Sequence, residues 1–135
     1  MESNDLLQQC LKASKESLIE IDPNGELLQR QLWKIIGTTL INKANIWQSR
    51  HEWKFQSVEK KGGKIYIENI SNNRVLATPD NFRLVEDTFD KEKAGQKWKK
   101  GPANPEGFFT LENLESKKFL TAVKDKLVIK GNYLY

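Results

Sequence analysis

Two stretches of the chain, GKIYIENISNNRVL at Gly63–Leu76 and GFFTLENLESKKFL at Gly107–Leu120, repeat one another without a gap. Both follow the frame Gly-x-(Ile/Phe)-x-(Ile/Leu)-Glu-Asn-(Ile/Leu)-x-(Asn/Ser)-x-(Arg/Lys)-(Val/Phe)-Leu. The alternating first half is typical of a strand with one buried face, and the second half predicts a turn into another short strand. Because such a hairpin cannot bury its apolar face alone, the repeat predicts a closed, pseudo-symmetric all-β domain.

A second marker has nearly the same period. Three triplets end in tryptophan: Gln31-Leu32-Trp33, His51-Glu52-Trp53 and Gln96-Lys97-Trp98. Trp53 and Trp98 are 45 residues apart, against 44 from Gly63 to Gly107, so we expect three units in one domain. Large rings at matching repeat positions serve packing, so the three indoles should be buried. Trp47 lies outside the triplets and is the expected exposed contact.

Length and composition agree with this interpretation. A chain of 135 residues, 38% of them hydrophobic, is expected to fold as a single domain over 1–135. The single Cys10 cannot form an intramolecular disulfide, and the acidic first residues do not resemble a secretory signal, which favours a cytoplasmic location. We find no apolar run of membrane-spanning length. The net charge of +4 is spread along the chain, so a specific nucleic-acid site is not expected.

The first segment fits two patterns. Leu6, Leu7, Cys10 and Leu11 have the spacing of a helical stripe, but residues 10–13 followed by 17–20 also match residues 119–122 followed by 126–129. The internal match favours strands. Residues 22–25, Asp-Pro-Asn-Gly, then predict a turn.

The second unit is short. Only about twenty residues lie between Trp33 and Trp53, so the strand at Ala44–Ser49 must be abbreviated or irregular. Further along we expect strands at Arg83–Asp87 and Gln96–Lys99, and loops at Thr88–Gly95 and Gly101–Gly107.

The two terminal units are each partial. The first lacks a glycine-led strand before Cys10, and the last stops at Tyr135 without a tryptophan triplet. We expect the terminal segments to pair and close the domain. The alternatives are a longer tandem array and strand exchange between two chains, which would make a dimer.

A unit of about forty residues with the order Gly-x-x-x-(Leu/Ile)-x-Asn, a short leucine-containing strand and Gln-x-Trp resembles the ricin B-type β-trefoil lectin repeat. Gln-x-Trp is complete at Gln31–Trp33 and Gln96–Trp98, whereas His51 replaces the glutamine in the middle copy. The resemblance implies a β-trefoil whose tryptophans face the barrel core and whose glutamines make structural hydrogen bonds. Phe119–Ala122 and Val75–Ala77 are also similar to the fascin-type trefoil, an actin cross-linker.

For sugar binding, the resemblance implies an aspartate close to the short second strand, a stacking aromatic ring and an Asn/Gln pair. No unit keeps this set, because the residue after the strand leucine is Lys12, Ala77 or Thr121. The nearest groups are in the third unit, although the aspartate lies three residues late: Asp80, Asn81, Phe89 and Gln96. These are the predicted carbohydrate-binding residues, with Phe89 stacking on the sugar. The alternative is a simple Pro-Asp-Asn turn.

Catalytic patterns are absent from the sequence. The single histidine, His51, lies in the triplet that ends at Trp53, and the single thiol, Cys10, lies beside apolar residues. A Cys/His nucleophile is therefore not indicated. No His/Cys spacing suggests a metal, and we expect no cofactor. The predicted function is therefore non-catalytic recognition: a lectin-like module that binds a glycan. The alternative is a diverged trefoil that binds a protein through its loops, as protease inhibitors or actin-binding trefoils do.

Overall fold

A computed structural model describes residues 26–58 and 63–132. In these residues a short helix, ten strands and one 3₁₀ turn follow in chain order: α1 (Glu26–Gln29), β1 (Trp33–Ile36), β2 (Thr39–Asn42), β3 (Trp53–Ser57), β4 (Lys64–Asn69), β5 (Arg74–Ala77), β6 (Val85–Thr88), the 3₁₀ turn (Ala94–Gln96), β7 (Trp98–Lys100), β8 (Leu111–Asn113), β9 (Phe119–Val123) and β10 (Lys126–Lys130). The architecture is all-β, as the repeat predicts.

Every strand pairing is antiparallel. β1 and β2 form a two-stranded sheet, and the other strands form a sheet in the order β10-β9-β8-β7-β4-β5-β6, with β3 also paired to β4. β1–β2, β4–β5, β8–β9 and β9–β10 are joined by short turns, which suits an antiparallel ladder. The two sheets meet at Trp33, whose backbone exchanges hydrogen bonds of 2.8 Å with Phe109 in both directions.

Threefold symmetry is visible in the strand register. Each tryptophan that ends a triplet starts a strand, and it lies opposite the asparagine that ends the following strand, which belongs to the next unit: Trp33 with Asn42, Trp53 with Asn69, and Trp98 with Asn113. Each of these strands also contacts a neighbouring unit, through Trp33 and Phe109, Trp53 and Thr38, and Trp98 and Ile65. Six strands therefore close into a barrel, and the fold is a β-trefoil with three pseudo-repeats.

The tryptophans form the core, as predicted. Trp33, Trp53 and Trp98 are 0%, 3% and 0% exposed. The indole Nε1 of Trp98 donates to the Leu76 carbonyl at 3.0 Å, and that of Trp33 donates to the Leu120 carbonyl at 2.9 Å. Since buried indoles need a hydrogen-bond acceptor, these equivalent bonds hold the two rings in equivalent places.

The three asparagines shape equivalent turns. The Oδ1 of Asn42, Asn69 and Asn113 accepts the backbone N–H two residues later, in each case at 3.0 Å. Asn side chains favour such turns because they imitate a backbone acceptor. In the third and last units the turn ends at Asn73 and Lys117, whose φ angles are +58° and +61°. The repeat thus reproduces its backbone conformation as well as its apolar pattern.

The second unit is abbreviated, as predicted. Around Ala44–Ser49 the described structure has one isolated bridge, between Ile41 and Gln48, instead of a strand. The exposed role expected for Trp47 is wrong: the ring is 9% exposed and packs edge-on against Trp33 with 5.3 Å between the ring centroids. Because this unit has no hairpin to cover the core, the Trp47 ring covers it instead.

Two strand boundaries differ from the predictions. The strand expected at Arg83–Asp87 runs from Val85 to Thr88, because Asp80 holds the preceding residues in a turn. Gln96 belongs to the 3₁₀ turn, and the strand expected from it starts at Trp98. The strands predicted at residues 10–20 and the turn at 22–25 lie outside the described residues.

Candidate functional site

The abbreviated second unit opens a cleft in the cap of the trefoil. The hairpins β5–β6 and β9–β10 fill two cap positions, and each follows an asparagine turn. In the second unit Trp53 comes four residues after Ser49. In the third unit Trp98 comes 22 residues after Leu76, which is the position equivalent to Ser49. Among the described residues no hairpin fills this third position. The cleft has a volume of about 280 Å³ and is lined by Trp47, Gln48, Arg50, His51, Trp53, Leu76, Leu84, Val85, Glu86, Asp125 and Leu127.

Part of the cleft wall is apolar. Leu84 and Val85 come from the β5–β6 hairpin, and Leu127 comes from β10 on the other side. Trp47 and Trp53, which are 9% and 3% exposed, also line the cleft. These surfaces would be covered by a third hairpin in a fully symmetric trefoil, so they are available for a ligand.

Glu86 supplies a fixed hydrogen-bond acceptor at the cleft. Its Oε1 accepts the side-chain N–H groups of Asn69 and Asn72, both at 3.1 Å. A carboxylate has about four acceptor positions, so two donors leave capacity for a third partner. The two amides therefore hold this carboxylate in place for a ligand hydroxyl or amide.

An ion pair crosses one edge of the cleft. Arg50 Nη2 contacts Asp125 Oδ2, and the Asp125 backbone N–H donates to the Ile46 carbonyl at 3.1 Å. Lys124 and Asp125 have φ angles of +45° and +66°, as in a tight two-residue hairpin turn. The tip of β9–β10 is thereby attached to the second unit.

His51 is exposed at the cleft and lies 6.5 Å from the Trp53 ring, measured between centroids. The nearby Ser49 Oγ donates to the backbone carbonyl of His51, and it accepts the Trp53 indole N–H at 2.8 Å. Because the serine hydrogen is directed to a carbonyl instead of the imidazole, this pair lacks the geometry of an activated nucleophile. The groups around the cleft are suited to hydrogen bonding and ring contact.

Of the sequence-predicted site, Asp80 and Gln96 have structural roles. Asp80 Oδ1 accepts the N–H groups of Phe82 and Arg83 at 2.8 and 2.9 Å, and Oδ2 pairs with Arg83 Nε at 2.8 Å. The Phe82 N–H, and after it Arg83, hold the pKa of Asp80 below its ordinary value of 3.8. Gln96 is fully buried, donates to the Thr88 carbonyl and accepts the Asp90 N–H, both at 2.8 Å.

The other two predicted residues, Asn81 and Phe89, are exposed and lie on either side of β6. Asn81 is in the turn before β6, where its carbonyl accepts Lys118 Nζ. Phe89 follows the other end of β6, is 46% exposed, and packs edge-on against Tyr66 at 4.8 Å. A four-residue strand between them spans roughly 10 Å. The hydrogen bonds of Asp80 are those of a turn, and sugar binding by the four residues stays a prediction.

The Phe89 side of the molecule has an additional electrostatic feature. Burial raises the pKa of the Tyr66 phenol above its ordinary value of 10.0, and the carboxylates of Asp90 and Glu92 raise it further. The neutral ring therefore persists at every physiological pH. It serves as a packing partner for Phe89.

Sequence reasoning missed the polar residues of the cleft. The short spacing between Trp33 and Trp53 indicated that the second unit is incomplete, and this was the available signal. It does not show that Glu86 and Asp125, from two other units, border the same space.

Within residues 26–58 and 63–132, no three His, Cys, Asp or Glu side chains are grouped to hold a metal ion. Within the same ranges, no helix has the length and apolarity that a membrane crossing requires.

Comparison with known proteins supports the fold. No family model matches the chain, and no curated protein matches it. Among solved structures, the designed 3-fold symmetric protein ThreeFoil aligns with a TM-score of 0.51 and 13% identity over 73% of this chain and 75% of that one. The cytolethal distending toxin of Haemophilus ducreyi aligns with a TM-score of 0.50 and 11% identity over 84% and 79%. Similarity at this level shows the β-trefoil fold alone.

Proposed function

We propose that this protein is a non-catalytic recognition module that binds a carbohydrate in the cleft of its abbreviated second unit. The observation that carries this proposal is the composition of the cleft: aromatic and aliphatic walls beside polar groups that are already held in position. Shallow sites of this kind use apolar contact for affinity and a few oriented hydrogen bonds for specificity.

The chemistry of a sugar ring matches these groups. Its hydroxyls can donate to Glu86, whose carboxylate is oriented by two asparagine amides. Gln48 and His51 lie at the same cleft and can both donate and accept. A volume of about 280 Å³ lies just below the roughly 300–1,000 Å³ of sites for drug-sized ligands, so one sugar ring is the expected scale.

The resemblance to ricin B-type repeats supports a lectin-like function in general terms. The internal hydrogen bonds of Asp80 and Gln96 argue against the sugar position that the resemblance implies in the third unit. The proposed site is therefore in a different part of the cap from the predicted one.

The test is titration of the protein with galactose, lactose and N-acetylgalactosamine, followed by the NMR signals of the tryptophan indoles. We expect the Trp47 and Trp53 signals to shift, with little change at Trp98. His51→Ala should weaken binding about tenfold, as expected for the loss of roughly 1.4 kcal/mol. Phe89→Ala is the matched control, since it removes an exposed ring outside the cleft. Binding that depends on Phe89 and not on His51, or no binding in a wider glycan array, would remove the proposal.

A protein partner is the second candidate, and it is favoured by one observation. Phe82 is 82% exposed at the end of the Asp80 turn, and Lys118 Nζ lies 5.0 Å from its ring centroid. Exposed aromatic rings can serve as interface anchors. In this case Phe82→Ala should abolish recovery of a partner from a lysate after enzymatic removal of glycans, whereas His51→Ala should not.

The loop Gly101–Gly107 offers a further contact in the protein-binding case. It is held by Asn104, whose Oδ1 accepts the N–H groups of Glu106 and Phe108, both at 2.9 Å. Replacing Pro102–Glu106 with a short Gly/Ser linker should keep the fold because the segment lies between β7 and β8. Recovery of the same partner by this variant would exclude the loop from the interface.

A further inference from the structure

One backbone carbonyl receives the same two hydrogen bonds in the units of Trp98 and Trp33. It lies three residues before the tryptophan, and in the unit of Trp98 it belongs to Gly95. The Gly95 carbonyl accepts the side-chain N–H of Asn113 and the backbone N–H of Thr78, both at 2.9 Å. Because a carbonyl oxygen has two lone pairs, these two donors occupy it fully.

The unit of Trp33 repeats this arrangement. The equivalent carbonyl belongs to Arg30, and it accepts the side-chain N–H of Asn42 at 3.0 Å and the backbone N–H of Ala122 at 2.9 Å. In both units one donor is the turn asparagine, and the other comes from the hairpin that covers the tryptophan. A filled cap position therefore satisfies this carbonyl twice.

The second unit leaves the equivalent carbonyl, that of Arg50, without either donor. Asn69 directs its side-chain N–H to Glu86 instead, at 3.1 Å, and no hairpin fills this cap position in the described structure. Among residues 26–58 and 63–132, none donates a hydrogen bond to the Arg50 carbonyl. Since Arg50 lines the cleft, the missing hairpin leaves a backbone acceptor there as well as an apolar surface.

Glu86 is a second acceptor at the cleft, and it stands where the other cap hairpin has an apolar residue. Glu86 lies opposite Leu76 in the β5–β6 pair, and Ile129 lies opposite Leu120 in the β9–β10 pair. Ile129 is 7% exposed, whereas Glu86 is exposed. The donors that hold Glu86 are asparagine amides, which carry no charge. The carboxylate is therefore oriented without being neutralised.

The charges that line the cleft do not cancel. Arg50 pairs with Asp125, whereas no ion pair within the described part of the chain reaches Glu86. With His51 counted as neutral, the lining has two carboxylates against one guanidinium, a net charge of one minus. The protein as a whole has a charge of +4, but charges further away than about 8 Å are largely screened at physiological salt. Contact with Glu86 therefore decides which ligand charge is preferred.

We propose that the ligand of the cleft is an amino sugar whose protonated amine lies between the Glu86 carboxylate and the Arg50 carbonyl. An ammonium group has three N–H donors and no acceptor, so it can satisfy both oxygens, whereas a hydroxyl has one donor. Hydrogen bonds between an ammonium and a carboxylate are also stronger than those of a neutral hydroxyl. This inference rests on the proposed function for the sugar ring and adds the charge of the ligand.

The first test compares three sugars that share one ring and differ at one substituent: galactosamine, N-acetylgalactosamine and galactose. Each is titrated at neutral pH, and the indole signals of Trp47 and Trp53 report binding. We expect galactosamine to bind about tenfold more tightly than either neutral sugar, because only its amine is charged. Added salt should reduce this preference. The corresponding glucosamine series should show the same order.

The second test changes the charge at Glu86 in the full chain. Glu86→Gln keeps the length of the side chain and removes its charge. It should weaken galactosamine binding about tenfold and galactose binding to a smaller extent, so that the two affinities become similar. The matched control is Glu52→Gln, which removes the same charge from an exposed side chain that does not line the cleft. This variant should keep the preference for the amine.

Equal affinities of the wild type for amino and neutral sugars would overturn the inference and leave carbohydrate binding intact. A preference for the amine that survives Glu86→Gln, or that Glu52→Gln removes to the same extent, would also overturn it. If no sugar of either series binds, the proposed function fails and the inference fails with it. The wild-type series gives this answer even if a variant is unstable.

Discussion

Asn113→Ala should be among the most destabilising single changes on a polar residue of this protein. Asn113 is fully buried, and its Oδ1 accepts the N–H groups of Glu115 and Ser116, both at 3.0 Å, and the Thr78 hydroxyl at 2.8 Å. Its Nδ2 donates to the Gly95 carbonyl at 2.9 Å. Alanine removes all of these bonds together.

The magnitude follows from which partners can reach water. Thr78 and Gly95 are buried, so each loses a bond that water cannot easily replace, at about 1–3 kcal/mol per group. The turn N–H groups of Glu115 and Ser116 are nearer to solvent and contribute less. We therefore expect Asn113→Ala to lower the free energy of unfolding by about 3–4 kcal/mol.

The equivalent Asn69→Ala is the matched comparison. The Asn69 amide donates to Glu86, and its Oδ1 accepts the N–H and the hydroxyl of Ser71, at 3.0 and 2.6 Å. Glu86 and Ser71 are exposed, so water can replace the lost bonds. The expected loss is about 1–2 kcal/mol.

Urea unfolding measures both variants, and an unchanged m-value would show that the compared states are the same. Adding Thr78→Val to Asn113→Ala should cost less than the sum of the single changes, because valine removes the hydroxyl that alanine left without its acceptor. If Asn69→Ala destabilises the protein as much as Asn113→Ala, the argument from partner burial is refuted.

Two further predictions concern a turn and a close backbone contact. Because the folded pKa of Asp80 is lowered below 3.8, its stabilising contribution is present above the unfolded pKa and is lost as the pH falls through the folded one. Wild type and Asp80→Asn should therefore differ in urea midpoint at pH 6 and converge only as the pH falls through the lowered folded pKa, and a constant difference would contradict this. A Cβ added at Gly95 would lie 2.6 Å from the Thr78 carbonyl oxygen, whereas a Cβ added at Gly131 would have no atom within 4 Å. Gly95→Ala should cost roughly 1–3 kcal/mol in urea unfolding, and an equal effect of Gly131→Ala would refute the steric argument.

Much of the fold was predictable because it depends on local patterns that recur. The frame shared by Gly63–Leu76 and Gly107–Leu120 combines strand alternation with an asparagine turn, and both features have the same physical cause wherever they occur. Trp33, Trp53 and Trp98 were correctly predicted as core residues because a large ring at each repeat has few other roles.

Predictions for single aromatic and polar residues were less successful. Trp47 was expected to be exposed, but the missing hairpin of its unit leaves a core surface that its ring covers. Gln96 was assigned both to the repeat motif and to a sugar site, and its burial and internal hydrogen bonds fit the structural role. Sequence spacing does not show which hydrogen bonds a polar side chain already makes within the protein.

The amino-acid sequence by itself determined the all-β class, the repeat, the tryptophan core and the shortness of the second unit, since periodicity and turn chemistry act between residues close in the chain. Only the tertiary structure decided that this shortness produces a cleft, and that Glu86 and Asp125 border it. Distances between residues far apart in sequence depend on strand register and on how the hairpins pack around the barrel. A ligand site assembled from several units is therefore defined only when the chain has closed.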